Sequence, residues 1–99
     1  QSGSINYVFD AINLIIAQKE YMVALEALGA LKDMGCKASK TKKLQDELAK
    51  NMTYDMVEQG YIFDDALETI LYYSVDKWYK TFTKSFKKYM KKWEKEKDI

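Results

Sequence analysis

Apolar residues recur along this chain with the period of a helix rather than a strand. From residue 65 to 97, Leu67, Leu71, Val75, Trp78, Phe82, Phe86, Tyr89 and Trp93 follow one another at intervals of 4, 4, 3, 4, 4, 3 and 4, which places them on one face of an α-helix. The stretch lacks glycine and proline, and Asp65 and Glu68 stand at its start as an N-cap and its capping-box partner would. The pattern predicts one helix over 65–97, about 50 Å long at 1.5 Å per residue. The 4-4-3 interval is an eleven-residue repeat, which favours nearly straight or slightly right-handed packing. Lys80, Lys84, Lys87, Lys88 and Lys91 fall on the side opposite the apolar stripe.

The first part of the chain predicts a helix over 5–34. Ile5, Val8, Phe9, Ile12, Ile15 and Ile16 form one face, continued by Val23, Ala27, Ala30 and Met34, while Tyr7, Leu14, Tyr21, Leu25 and Leu28 form a second face nearly opposite. A helix apolar on two sides is central in a bundle or buries one side against another subunit. Gln18-Lys19-Glu20 is the one polar patch where the block can break into a hairpin. Ala24, Ala27, Gly29 and Ala30 are small enough to let a neighbouring helix come close. Gly35 suits the left-handed position just past a helix end, and Cys36 to Lys40 reads as a basic turn. Ser39 or Thr41 is placed to cap a second helix over 39–59, carrying Leu44, Leu48, Met52, Met56 and Val57 and stopping at Gly60. Thr53 offers a fresh cap if that helix is interrupted at Asn51-Met52-Thr53. Tyr61-Ile62-Phe63 is an apolar link suited to plug a bundle end.

The expected fold is therefore all-α, an antiparallel bundle of three long helices, four if one is broken, with a long C-terminal helix. Residues 5–99 read as a single domain. Gln1-Ser2-Gly3-Ser4 reads as the remnant of a protease-cleaved tag, with Ser4 placed to cap the first helix.

Charge changes this picture more than bulk composition does. The net charge of +1 conceals segregation: residues 37–43 carry four lysines, residues 44–68 seven acids against Lys50, and residues 77–93 seven lysines and no acid. The simplest outlet is internal, with the acidic segment lying beside the basic helix; an acidic external partner is the alternative. The lone Cys36 can form no internal disulfide, so a cytoplasmic setting is expected. Nothing resembles a signal peptide, and no apolar run approaches the length needed to span a bilayer.

Chemistry is reached by elimination. The absence of histidine rules out Ser-His-Asp and Cys-His machinery and histidine-containing zinc sites. One cysteine rules out cysteine-only zinc and iron-sulfur clusters. The four glycines are scattered and form no phosphate loop. Asp64, Asp65 and Glu68 are the tightest carboxylate cluster, and acids at that offset suit a helix N-terminus better than a Mg²⁺ or Ca²⁺ site. Cys36, beside Lys37, reads as a small residue at a helix end rather than a reactive thiol. The expectation is a non-enzymatic protein without metal or cofactor.

Such a protein acts by contact, so the sequence points to a protein-protein interaction module: an adaptor, inhibitor or assembly factor. The expected partner surface combines Tyr72, Tyr73 and Tyr79, read as exposed, with Lys80, Lys84, Lys87, Lys88 and Lys91. The alternative is weak, sequence-nonspecific nucleic-acid binding through the lysine face, since the chain has no arginine for bidentate contacts. Two further readings rest on an overhang of the last helix beyond Tyr79: docking on an anionic membrane, or exchange with a second copy to give a homodimer.

Overall fold

The chain breaks where its polar punctuation lies and at one joint where the apolar stripe runs on unbroken. In the computed structural model, which describes residues 2–60 and 63–97, α1 (Ser2–Ala17) and α2 (Tyr21–Asp33) are separated by the Gln18-Lys19-Glu20 patch. The reversal is a Schellman closure. The Lys19 N–H donates to Ile16 O at 2.9 Å and the Glu20 N–H to Ile15 O at 3.1 Å, with Lys19 at φ +64°, a left-handed position usually given to glycine. The same closure ends α2 at Gly35, φ +88°, where the Gly35 N–H reaches Lys32 O and the Cys36 N–H reaches Leu31 O, each at 3.0 Å.

This reversal resets which residues face inward. α1 buries Ile12 and Ile16, and α2 buries Ala24, Leu25, Leu28 and Leu31. Leu25 and Leu28, predicted on the second face, are core, whereas Val23, Ala30 and Met34, predicted to continue the first, are exposed. Tyr7 and Leu14 also remain outside. The physical reason is that a turn discards the angular phase that a continuous helix would have carried through it. Because α1 begins at Ser2, Ser4 lies within the helix rather than at its cap.

A short 3-10 turn (Ala38–Thr41) leads into α3 (Lys42–Glu58). α3 runs unbroken through Asn51-Met52-Thr53, and the Thr53 hydroxyl bonds back to Ala49 O at 2.8 Å instead of capping a new helix. It buries Leu44, Gln45, Leu48, Ala49 and Thr53 and stops at Gly60, φ +80°. Of the link at 61–63, expected to plug the bundle, residues 61–62 lie outside the described residues and Phe63 already opens the next helix.

The single helix predicted over 65–97 is instead two. α4 (Phe63–Ser74) and α5 (Lys80–Lys97) are joined through a 3-10 turn (Lys77–Tyr79), which Asp76 caps by accepting from the Trp78 N–H at 2.9 Å. α4 buries Ala66 and Ile70, while Leu67, Leu71 and Val75 of the predicted stripe point outward. Beyond the joint the stripe is right: Phe82 and Phe86 are fully buried and Tyr89 and Trp93 half-buried. Asp65 sits in the first turn of α4 rather than at its cap.

The joint is held from α3. Gln45 is completely buried, and its amide donates to Trp78 O at 3.0 Å and to Thr41 Oγ1 at 2.9 Å, while its Oε1 accepts from the Phe82 N–H at 2.7 Å. Phe82 is the third residue of α5, so its N–H is one of the orphan donors at a helix start. One side chain thus supplies the partners that the interrupted helix cannot.

The architecture is the all-α bundle that the periodicity predicts, with five α-helices among the described residues because both end blocks are divided. Neighbours in the chain run in opposite senses, so α3 and α5 run the same way: Gln45 meets Phe82, Asp46 meets Ser85, and Tyr54 meets Trp93. α5 is clasped along its length by α3, with Lys97 Nζ reaching Val57 O near the end. The overhang predicted beyond Tyr79 is therefore absent over the described residues. The Cα extents of 47 × 27 × 17 Å make the molecule two helices thick at an interaxial spacing of about 8–10 Å. In so thin a body α2, which packs on α1 and α3, and α4, which packs on α5, leave a groove between them.

Candidate protein-docking groove

α2 presents Met22, Leu25, Glu26 and Gly29 to this groove, and α4 with the following joint presents Tyr72, Tyr73, Val75, Asp76 and Tyr79. A second, adjoining hollow shares Met22, Leu25, Tyr72 and Tyr73 and extends to Met52, Thr69, Glu68 and Leu71. The two measure about 570 and 580 Å³. The lining is mostly apolar and includes two methionines, Met22 in the shared part and Met52 in the second hollow, a residue that adapts its shape to what it meets.

Aromatic edges build the floor. The Tyr73 ring meets Tyr79 at 5.1 Å and Phe82 at 5.3 Å, both edge to face, and Tyr72 meets Tyr73 at 5.0 Å. These T-shaped contacts set the positive edge of one ring against the negative face of the next. Burial pushes the Tyr73 and Tyr79 phenols above their ordinary value of 10.0, and for Tyr79 the nearby Lys32 opposes part of that rise. The floor is accordingly uncharged at neutral pH. The floor passes close to α2 at Gly29, where a Cβ would lie 3.5 Å from the Tyr79 hydroxyl, an ordinary contact distance.

The groove closes at one end with an ion pair between Lys32 and Asp76. Lys32 Nζ also stands 5.9 Å from the Tyr79 ring centroid. The Lys32 ammonium, with the Trp78 N–H, holds the Asp76 carboxyl below its usual 3.8. Elsewhere the rim is acidic. Glu26 on one wall and Glu68 on the other are exposed, and no ion pair among the described residues engages either.

The residues expected from sequence divide here. Tyr72 is 73% exposed on the groove wall and Tyr73 is half-buried in its floor. Tyr79, expected to be exposed, is only 9% exposed, because the α4–α5 joint turns its ring under Tyr73. Lys80, Lys84, Lys87, Lys88 and Lys91 are all exposed along α5, and none of them lines the groove. Lys88 Nζ lies over the Tyr89 ring at 4.6 Å; Lys87 and Lys91 border a crevice of about 160 Å³ over Ala66, Ile70 and Met90. The acidic segment does lie beside the basic helix, but it does not pair with these lysines. Asp46 accepts instead from Ser85 Oγ at 2.7 Å and Tyr89 OH at 3.2 Å, and no ion pair among the described residues joins α3 to α5.

Sequence reasoning missed Met22, Leu71 and Val75. Leu71 and Val75, 66% and 86% exposed, were in phase with the core stripe. The one local signal against that phase was Asp76, a capping residue inside an otherwise helical run.

Catalytic and metal candidates are not gathered. Cys36 is half-buried, its thiol donating to Lys37 O at 3.8 Å and its carbonyl accepting from Trp78 Nε1 at 3.0 Å. Asp64 and Asp65 occupy the first turn of α4, and among the described residues no group of three or more His, Cys, Asp or Glu could hold a metal ion. None of the described helices is long and apolar enough to cross a membrane. Comparison with protein-family models, curated proteins and solved structures returns no match. The functional reading therefore rests on surface chemistry alone.

Proposed function

We propose that this chain is a non-enzymatic helical-bundle module that binds another protein, as an adaptor, inhibitor or assembly factor, through the groove between α2 and α4. The observation that carries this reading is the placement of Leu71, Tyr72 and Val75, large apolar side chains exposed side by side around an apolar hollow. Water-facing apolar clusters of this kind oppose solubility and mark contact sites, and tyrosine is among the residues that anchor protein interfaces.

Val75→Asp places a charge on the groove wall at a position that packs on nothing, so the fold is retained and binding is lost. Affinity capture from native lysate with the wild-type chain, Val75→Asp and a Lys84→Glu/Lys88→Glu variant tests this. The reading expects one stoichiometric, sequence-identified protein that is lost with Val75→Asp alone, and it expects that protein to protect 22–29 and 69–79 from hydrogen exchange. A partner lost only with the lysine variant overturns it.

The second reading, nonspecific nucleic-acid binding, is supported by Lys80, Lys84, Lys87, Lys88 and Lys91 having no ion-pair partner among the described residues. It expects an oligonucleotide to bind at low salt, with affinity falling linearly on a log-log plot against salt. No binding at low salt removes it.

A further inference from the structure

We propose that the segment received by the groove is a cationic amphipathic helix of the partner protein, an inference that rests on the docking reading above and adds the chemistry of its occupant. Three observations lead there. First, both walls are helices, whose backbone hydrogen bonds are satisfied internally, so they offer no open edge to which an extended strand could be added. Second, the wall from Met22 to Gly29 runs for about 10 Å, two helical turns, which matches apolar anchors at i, i+3 or i+4, and i+7 in a docked helix. Third, the rim has one sign of charge. The charged residues lining the two hollows are Glu26, Glu68 and Asp76, and between them α2 and α4 carry five acids, Glu26, Asp33, Asp64, Asp65 and Glu68, against a single lysine, Lys32, already paired with Asp76. Lysine or arginine flanking the partner's anchors would meet Glu26 on one wall and Glu68 on the other.

A second copy of this chain fits less well. The basic face of α5 has its aromatic residues turned inward, so it brings charge without anchors. The exposed Tyr7 and Leu14 of α1 bring anchors, but the only charged residue between Asn6 and Gln18 is Asp10, which has the wrong sign.

Three synthetic helical peptides of equal length test this, each with leucines at i, i+3 and i+7 and flanked by lysine, glutamine or glutamate. They are titrated against the full chain and against Val75→Asp and Glu26→Gln/Glu68→Gln. The lysine peptide is expected to bind about tenfold more tightly than the glutamine peptide at low salt, and more tightly still than the glutamate peptide. That advantage should shrink with added salt and with Glu26→Gln/Glu68→Gln, while Val75→Asp weakens all three. Equal binding of the lysine and glutamine peptides overturns the charge assignment and leaves the docking groove standing. Lysine-peptide binding that survives Val75→Asp overturns both. A wild-type dimer in sedimentation that Val75→Asp dissociates assigns the groove to a second copy and overturns the cationic partner.

Discussion

Replacing Gln45 with leucine tests whether one buried amide holds the α4–α5 joint. The substitution keeps the approximate bulk of the side chain but strands the Phe82 N–H and Trp78 C=O, which now bond to the amide at 2.7 and 3.0 Å. Thr41 loses its amide donor but keeps its own bond to Ala38 O at 2.8 Å, so only two groups are orphaned. At about 1–3 kcal/mol for each buried unsatisfied group, the loss is about 2–6 kcal/mol. Leucine burial returns about 1–2 kcal/mol of that, leaving a net destabilisation of about 3 kcal/mol. A domain of this size has about 5–15 kcal/mol in total, so Gln45→Leu should still fold, with a midpoint lowered by about 10–20 °C. Urea and thermal unfolding followed by circular dichroism give the magnitude, and hydrogen exchange at the Phe82 amide gives the location. Thr53→Val is the control: Thr53 is equally buried, but its hydroxyl only doubles up on carbonyls of its own helix, so its loss should cost under about 1 kcal/mol. A Gln45→Leu variant within about 0.5 kcal/mol of wild type, or one whose Phe82 amide exchanges no faster, would refute the bracing role.

Other consequences follow from single residues. Lys19→Gly should stabilise by about 0.5–1 kcal/mol in urea unfolding, because it relieves a left-handed lysine at φ +64°. The contact it gives up, 4.0 Å to Asp55 from a side chain 71% exposed, contributes little. Gly29→Ala should also stabilise, by up to about 1 kcal/mol, since the added Cβ meets the Tyr79 hydroxyl at an ordinary 3.5 Å; a loss of stability would mean that the approach is tighter than that distance. Tyr21, Tyr73 and Tyr79 have phenols raised above 10.0, first of all by burial and, for Tyr21, next by its hydrogen bond to Asp55. A folded-state value above the unfolded one means that stability is whole below pH 10 and is lost as pH rises beyond it. Unfolding free energy measured from pH 8 to 11.5 should therefore be flat and then fall; a rise above pH 10 would contradict the burial of these hydroxyls.

Periodicity alone determined that this chain is helical, where its glycines end helices, and that Phe82, Phe86, Tyr89 and Trp93 turn inward, because side-chain direction within one unbroken helix is a property of spacing. It reads the first block as one helix over 5–34 and marks Gln18-Lys19-Glu20 only as the place where that block could turn, and there the chain does divide. What it could not supply was phase across a joint. Leu71 and Val75 share the arithmetic of the core stripe, yet face water because Asp76 and the distant Gln45 end one helix and begin another between Ser74 and Lys80. Gln45 lies 37 positions from Phe82, and no local pattern encodes a hydrogen bond between them. The groove is of the same kind: Met22, Leu25, Tyr72 and Tyr73 become neighbours only when α2 and α4 are laid side by side on a body two helices thick. Interval and composition act along the chain, whereas a binding surface is a relation between elements, and only tertiary packing sets it.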